Sequence, residues 1–369
     1  MQVLHSATRV LAAAGLAVLA AGCSKDSSAP NAPFDPAGTS SDMSAVGASF
    51  ESPAMASFNA ASSEIGLTTG GSAALALMAR PTASLATGGK ASAVRYAAAL
   101  AQRYTGAGTP RPSLAVAQAS IPPDLLGATF VWDASVQHYA ISDLTGAPAD
   151  GVRFLLYAVN PLTGIPVDPL VEIGYADVTT TQSTSSAAVS IVVVSEDVTF
   201  LDYTARITAQ SASTGDIVVS GYVTNGDDRV NFDLNTGVTF SPTTVDLALD
   251  YTLVVPTRSG FRIDLESDLS GQLEANTGTY TLNLTARGPH GTVNIGGSAT
   301  EGGGTFQVKV NGDLFATIDI SAGDSPVITG QDGGALTAEE QAALEDVFHM
   351  FGAGLEFFLL LSDPSGVTL

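Results

Sequence analysis

The chain is 369 residues long and strongly acidic, with 36 Asp and Glu against 14 Lys and Arg and a net charge of −22. A field of that sign disfavours nucleic acid and anionic lipid surfaces as partners. One cysteine, Cys23, excludes a disulfide within a single chain, so the fold must be held by packing.

Residues 1–22 contain one basic residue, Arg9, no acid, and an Ala/Leu/Val stretch too short to span a bilayer, which is the composition of an export signal. The stretch closes as Leu16-Ala-Val-Leu-Ala-Ala-Gly-Cys23. This ending resembles the lipobox of bacterial lipoproteins, and the resemblance implies that Cys23 is the acylated first residue of the mature chain and its membrane attachment. Ser24 follows in place of the aspartate associated with inner-membrane retention in those families. An outer-membrane address, on the periplasmic face or at the cell surface, is therefore implied.

Residues 23–60 are rich in Ser, Ala, Gly and Pro and poor in large apolar side chains, the composition of a flexible tether. Residues 61–126 continue Ala-rich, with helical propensity over Ser72–Met78 and Lys90–Tyr104 and a proline-containing linker over Thr109–Pro123. Charge then changes. Ser24–Leu126 holds six basic and six acidic residues, whereas Gly127 onward holds seven basic and thirty acidic ones. The acids are scattered rather than set at ligand spacing, as on a solvated outer face.

From Gly127 the apolar pattern has period two. Val245, Leu247, Leu249, Tyr251, Leu253 and Val255 alternate with Asp246, Ala248, Asp250, Thr252 and Val254, which puts one face in a core and most of the other in water. Phe261–Glu266, Tyr280–Arg287 and Phe306–Asn311 repeat the rule. Asn225-Gly226, Ser259-Gly260, Pro289-His290-Gly291, Gly302-Gly303-Gly304 and Asn311-Gly312 supply hairpin turns between them. The spacing predicts a meander of about seven or eight strands over Asp216–Ile320, with about four to six more upstream over Thr129–Val178 and Ala187–Thr208. The continuous apolar runs Phe154–Tyr157 and Ile191–Val194 predict strands covered on both faces.

The chain's one convincing helix is predicted within 336–361. Thr337-Ala-Glu-Glu340 has capping-box spacing, and Leu344, Val347, Phe348, Phe351, Leu355 and Phe358 follow at helical spacing. The expected fold is mainly β: a large antiparallel meander over 127–335, as a curved sheet, half-barrel or sandwich, with one C-terminal amphipathic helix packed on it and a disordered to partly helical N-terminal region.

Catalytic chemistry is thin. His138, His290 and His349 have no His or Cys near them in sequence, and no hydrolase, metalloprotease or phosphate-binding motif occurs. Asn225-Gly226-Asp227-Asp228 lacks the alternating acids of a calcium loop and reads as a turn. Trp132, beside Phe130 and Tyr139, reads as packing against the sheet. No catalytic residue, metal or cofactor is expected.

Asp143–Val152, with Phe154, Leu156 and Gly174-Tyr-Ala-Asp177, resembles the opening of bacterial immunoglobulin-like or carboxypeptidase-regulatory-like modules, over about a fifth of the chain. The order of signal, acylated cysteine, tether, meander and apolar helix is similar to lipoproteins of the LolA/LolB and mycobacterial lipid-carrier type, which implies a half-barrel closed by helices around an acyl-chain cavity. The expected function is a non-catalytic, structural or surface-interaction lipoprotein of the cell envelope. Its alternative is a carrier of an apolar small molecule or lipid, and an enzyme with an acidic site comes third. In either of the first two, Leu344, Val347, Phe348, Phe351, Leu355 and Phe358 contact a ligand or the core.

Overall fold

The computed structural model describes residues 35–49, 51–64 and 121–344, apart from 212, 242, 273–276, 301, 322–326 and 343. Fifteen strands form one sheet: β1 (Thr129–Asp133), β2 (His138–Ser142), β3 (Gly151–Tyr157), β4 (Glu172–Gln182), β5 (Ser186–Ser195), β6 (Val198–Ala209), β7 (Thr214–Thr224), β8 (Arg229–Phe240), β9 (Thr244–Val255), β10 (Phe261–Gln272), β11 (Thr277–Gly288), β12 (Gly291–Thr300), β13 (Gly303–Val310), β14 (Asp313–Ser321) and β15 (Val327–Gly330). From β15 back to β3 every strand lies beside its sequence neighbour, and the order then ends β3-β1-β2. Pairing is antiparallel except for β1 and β3, where Thr129 faces Arg153 and Phe130 faces Phe154 in parallel. The expected meander is present as β7 to β14, with β1 to β6 upstream. The stretch with module-like residues is part of this one sheet, not a separate sandwich.

Register makes the two faces chemically distinct. One row runs Val152, Val178, Ile191, Tyr203, Gly221, Phe232, Leu253, Ile263, Ala286, Val293, Val310 across β3 to β13. One residue along, on the other face, the row reads Thr179, Ser190, Thr204, Ser220, Asp233, Thr252, Asp264, Thr285, Asn294, Lys309. Gly221 is required in the first row, since a Cβ there would lie 1.9 Å from the Asp202 carbonyl oxygen.

Fifteen strands at about 4.8 Å spacing would span roughly 70 Å if flat, far wider than any helix described here can cover. Yet the apolar face forms one contiguous buried cluster from Trp132 to Ile318. The sheet therefore buries its inner face largely against itself, as large twisted sheets do when they curl.

The N-terminal region is partly helical, as expected, but its helices fall mostly in 23–60, where composition read as a flexible tether. Within the segment read as a flexible tether, Pro36–Ala48 forms α1 and Pro53–Glu64 forms α2. Both begin with a capping residue and proline in the first helical position, an arrangement proline's fixed φ favours. Asp35 accepts a bond from the Gly38 amide at 2.9 Å, and the Ser52 hydroxyl accepts one from the Met55 amide at 3.1 Å. Val46, Ala54, Met55, Phe58 and Ala61 join the main core, and α2 lies against β2 to β6. A few well-placed apolar side chains were enough to order a segment whose average composition argues against it.

A second correction concerns the continuous apolar runs. Leu155, Val192 and Val194 are half-buried on the outer face rather than enclosed, with Val192 standing between Asp177 and Asp202 in the ladder. Cross-strand neighbours shade them, so no second layer is needed.

At the other end, the capping box forms as read. The Thr337 amide donates to Glu340 Oε2 at 2.9 Å, and the Glu340 amide donates to Thr337 Oγ1 at 3.3 Å. The helix runs from 338, and Leu344 is fully buried in the main core.

Candidate functional site

Sequence-predicted site residues fare unevenly. Cys23, Val347, Phe348, Phe351, Leu355 and Phe358 lie outside the described residues, as do His349 and the Ala-rich stretches of 72–78 and 90–104. Leu344 is a core contact. Trp132 packs edge-on against Tyr139 with centroids 5.6 Å apart, and Phe130 stacks on Phe154 at 4.8 Å, the packing role its neighbours suggested. The Tyr139 hydroxyl donates to the Leu155 carbonyl at 2.9 Å. Asn225–Asp228 is a turn: Asn225 Oδ1 accepts from the amides of Asp227 and Asp228 at 3.0 and 2.9 Å.

The polar cluster that the fold assembles is one that sequence spacing does not reveal. Turns of the meander alternate between two rims of the sheet. Those at 225–228, 256–260 and 289–290 fall on the same rim, and α1 lies across them. At the start of α1, Asp35 uses one carboxylate oxygen to cap the helix and places the other 2.9 Å from His290 Nδ1. The ring rests on the backbone of Gly38, where a Cβ would come within 2.3 Å of Nδ1, so only glycine admits it. His290 Nε2 lies 3.9 Å from Asp42 Oδ2, and the Asp42 side chain is 6% exposed. At the helix's far end Asn225 Nδ2 donates to the Ala48 carbonyl at 3.2 Å. Beside it, Asp228 accepts from Arg258 Nη2 at 2.9 Å and from Thr257 Oγ1 at 2.7 Å.

Electrostatics within the cluster are opposed. Burial pushes the Asp42 carboxyl above its ordinary value, against the pull of His290 and Arg258. The Arg258 and Thr257 hydrogen bonds hold Asp228 below its ordinary value. This carboxylate–imidazole–carboxylate cluster is a clasp that fastens α1 to the rim. Among the described residues no group of three or more His, Cys, Asp or Glu side chains could hold a metal ion, and no helix is long and apolar enough to cross a membrane.

Asp35-Pro36 and Ser52-Pro53 were the signals by which sequence reading could have found this region. Family models, curated proteins and solved structures yield no match to this chain.

Proposed function

We propose that the chain is a membrane-anchored cell-envelope lipoprotein with an outer-membrane address and a non-catalytic structural or surface-interaction role. The observation that carries this reading is the apolar leader ending Leu19-Ala-Ala-Gly-Cys23. Support for a scaffold role comes from the interior, where Met55, Phe58, Leu156, Leu234, Leu284, Ile295 and Leu344 are almost completely buried in one cluster. Side chains packed in that way give a rigid body suited to display.

A second reading, a carrier of an apolar small molecule or lipid, draws on the apolar inner face itself. Mass spectrometry separates the two. The N-terminal peptide of the processed chain is expected to begin at Cys23 and carry acyl mass, and an unmodified peptide sinks the lipoprotein reading. An organic extract of the purified protein, with native mass before extraction, is expected to contain no stoichiometric ligand. A lipid at one per chain replaces the scaffold role with the carrier role.

A further inference from the structure

Of the eleven exposed large apolar side chains among the described residues, six lie on the rim that carries α1, while Leu126, Ile141, Leu144 and Val327 lie at or near the opposite rim. Val136 lies in the β1–β2 turn, Leu162, Ile165, Leu170 and Val171 in the β3–β4 loop, and Val198 just beyond the β5–β6 turn, all on this rim. Leu162, at the loop's tip, is 86% exposed. Its presentation is built rather than slack. The Asn160 side chain accepts from the Leu162 amide at 2.9 Å, the Asn160 amide donates to the Ile165 carbonyl at 2.9 Å, and Val159 bridges to Pro166. Asp168 is the one charge in residues 158–171. Acids lie at both rims, Glu172, Glu196, Asp197, Asp227 and Asp313 at this one and Asp216, Asp246, Asp268 and Asp319 near the opposite one, so the feature that sets the α1 rim apart is the apolar loop at 158–171.

The tether selects between the rims. Eleven residues separate Cys23 from Asp35, and the twelve Cα-to-Cα steps between them reach at most about 43 Å. Asp35 is fastened to the first rim through His290. Twelve-residue strands such as β9 and β10 are about 40 Å long. Laying the opposite rim on the bilayer would therefore use almost the full extended length, whereas the α1 rim reaches it freely.

We propose that the α1 rim is a lipid-contacting surface on which the β3–β4 loop seats Leu162 and its apolar neighbours in the bilayer interface, with the opposite rim turned away. The proposal rests on the lipoprotein reading. The contact is apolar rather than electrostatic, in keeping with an acidic chain and a loop without basic residues.

The test uses the full chain made with its leader, carrying Leu162→Cys or, near the opposite rim, Leu144→Cys, labelled with an environment-sensitive thiol dye and placed on phosphatidylethanolamine–phosphatidylcholine vesicles. An acylated Cys23 is a thioether, so only the introduced thiol reacts. At 162 the emission is expected to shift to the blue and iodide quenching to be lost on vesicles, while at 144 quenching persists. Equal quenching at both sites, or protection at 144 alone, overturns the proposal. Protection at 162 without vesicles marks a second copy as the occupant and overturns it too. The N-terminal peptide mass distinguishes the failures: no acyl mass removes the lipoprotein reading, whereas acyl mass with an exposed 162 label removes the docking alone.

Discussion

If α2 is part of the folded core, Phe58→Ala must destabilise the whole β domain. Phe58 is 1% exposed and belongs to the same cluster as Trp132, Phe154 and Ile191. Truncating a core phenylalanine removes its transfer free energy and leaves a cavity, about 3–5 kcal/mol together. Against a total of about 5–15 kcal/mol for a typical domain, that is a large fraction. Trp132 is the chain's sole tryptophan and is buried in this cluster, so its fluorescence during urea unfolding reports on the sheet and not on the helix alone. The exposed Ala56 supplies the control: Ala56→Gln should change stability by no more than about 0.5 kcal/mol. A Phe58→Ala loss below about 1 kcal/mol at unchanged denaturant slope would refute the reasoning and return α2 to the tether.

Four further outcomes are expected. Tyr203 is buried and its hydroxyl has no partner among the described residues, so Tyr203→Phe should leave stability unchanged or raise it by up to about 1 kcal/mol in the same urea assay; a loss above that would reveal a bond to the hydroxyl. Asp228, held below its ordinary value by Arg258 and Thr257, contributes stability that is present above its unfolded value of 3.8 and lost as pH falls through its folded value. Asp228→Asn should therefore cost about 1 kcal/mol at pH 7, discounted because Arg258 is 39% exposed, and little below that range. Asp42, raised by burial, has the opposite sign: its contribution is full below 3.8 and lost as pH rises through the folded value, so Asp42→Asn should stabilise at pH 7. Unfolding curves at pH 3 to 7 check both signs. Thr337→Ala removes the capping box and should cost about 1 kcal/mol locally, read as faster amide exchange over 338–344.

The sheet was legible because its signal is binary. Alternation in Val245–Val255 needs only a buried and a wet face, and the structure supplies both in register. Turns were legible where glycine carried them, as at Asn311-Gly312 with φ of 52° and 95°. The β5–β6 turn was not, because Glu196 and Asp197 adopt φ of 49° and 62° without a glycine to announce them. There the pairing of β5 with β6 imposes the left-handed conformation that local preference opposes.

The helices at 36–64 were hidden for a different reason. In α2 the buried positions are Ala54, Met55, Ser57, Phe58 and Ala61, a helical stripe by spacing but not by hydrophobicity. An inner face already rich in Val, Leu and Phe leaves little room for a bulky helix, so small residues pack closer and bury the two large side chains that matter. Average composition then resembles a linker while the backbone is fully committed. The clasp is invisible for a related reason: Asp35 and His290 stand 255 positions apart in the chain and meet only because alternate turns share a rim. The same parity of turns puts the apolar loop at 158–171 on the same rim as α1. What a meander hides from its sequence, then, is the sorting of loops between rims, and that sorting follows from counting strands once their number is known.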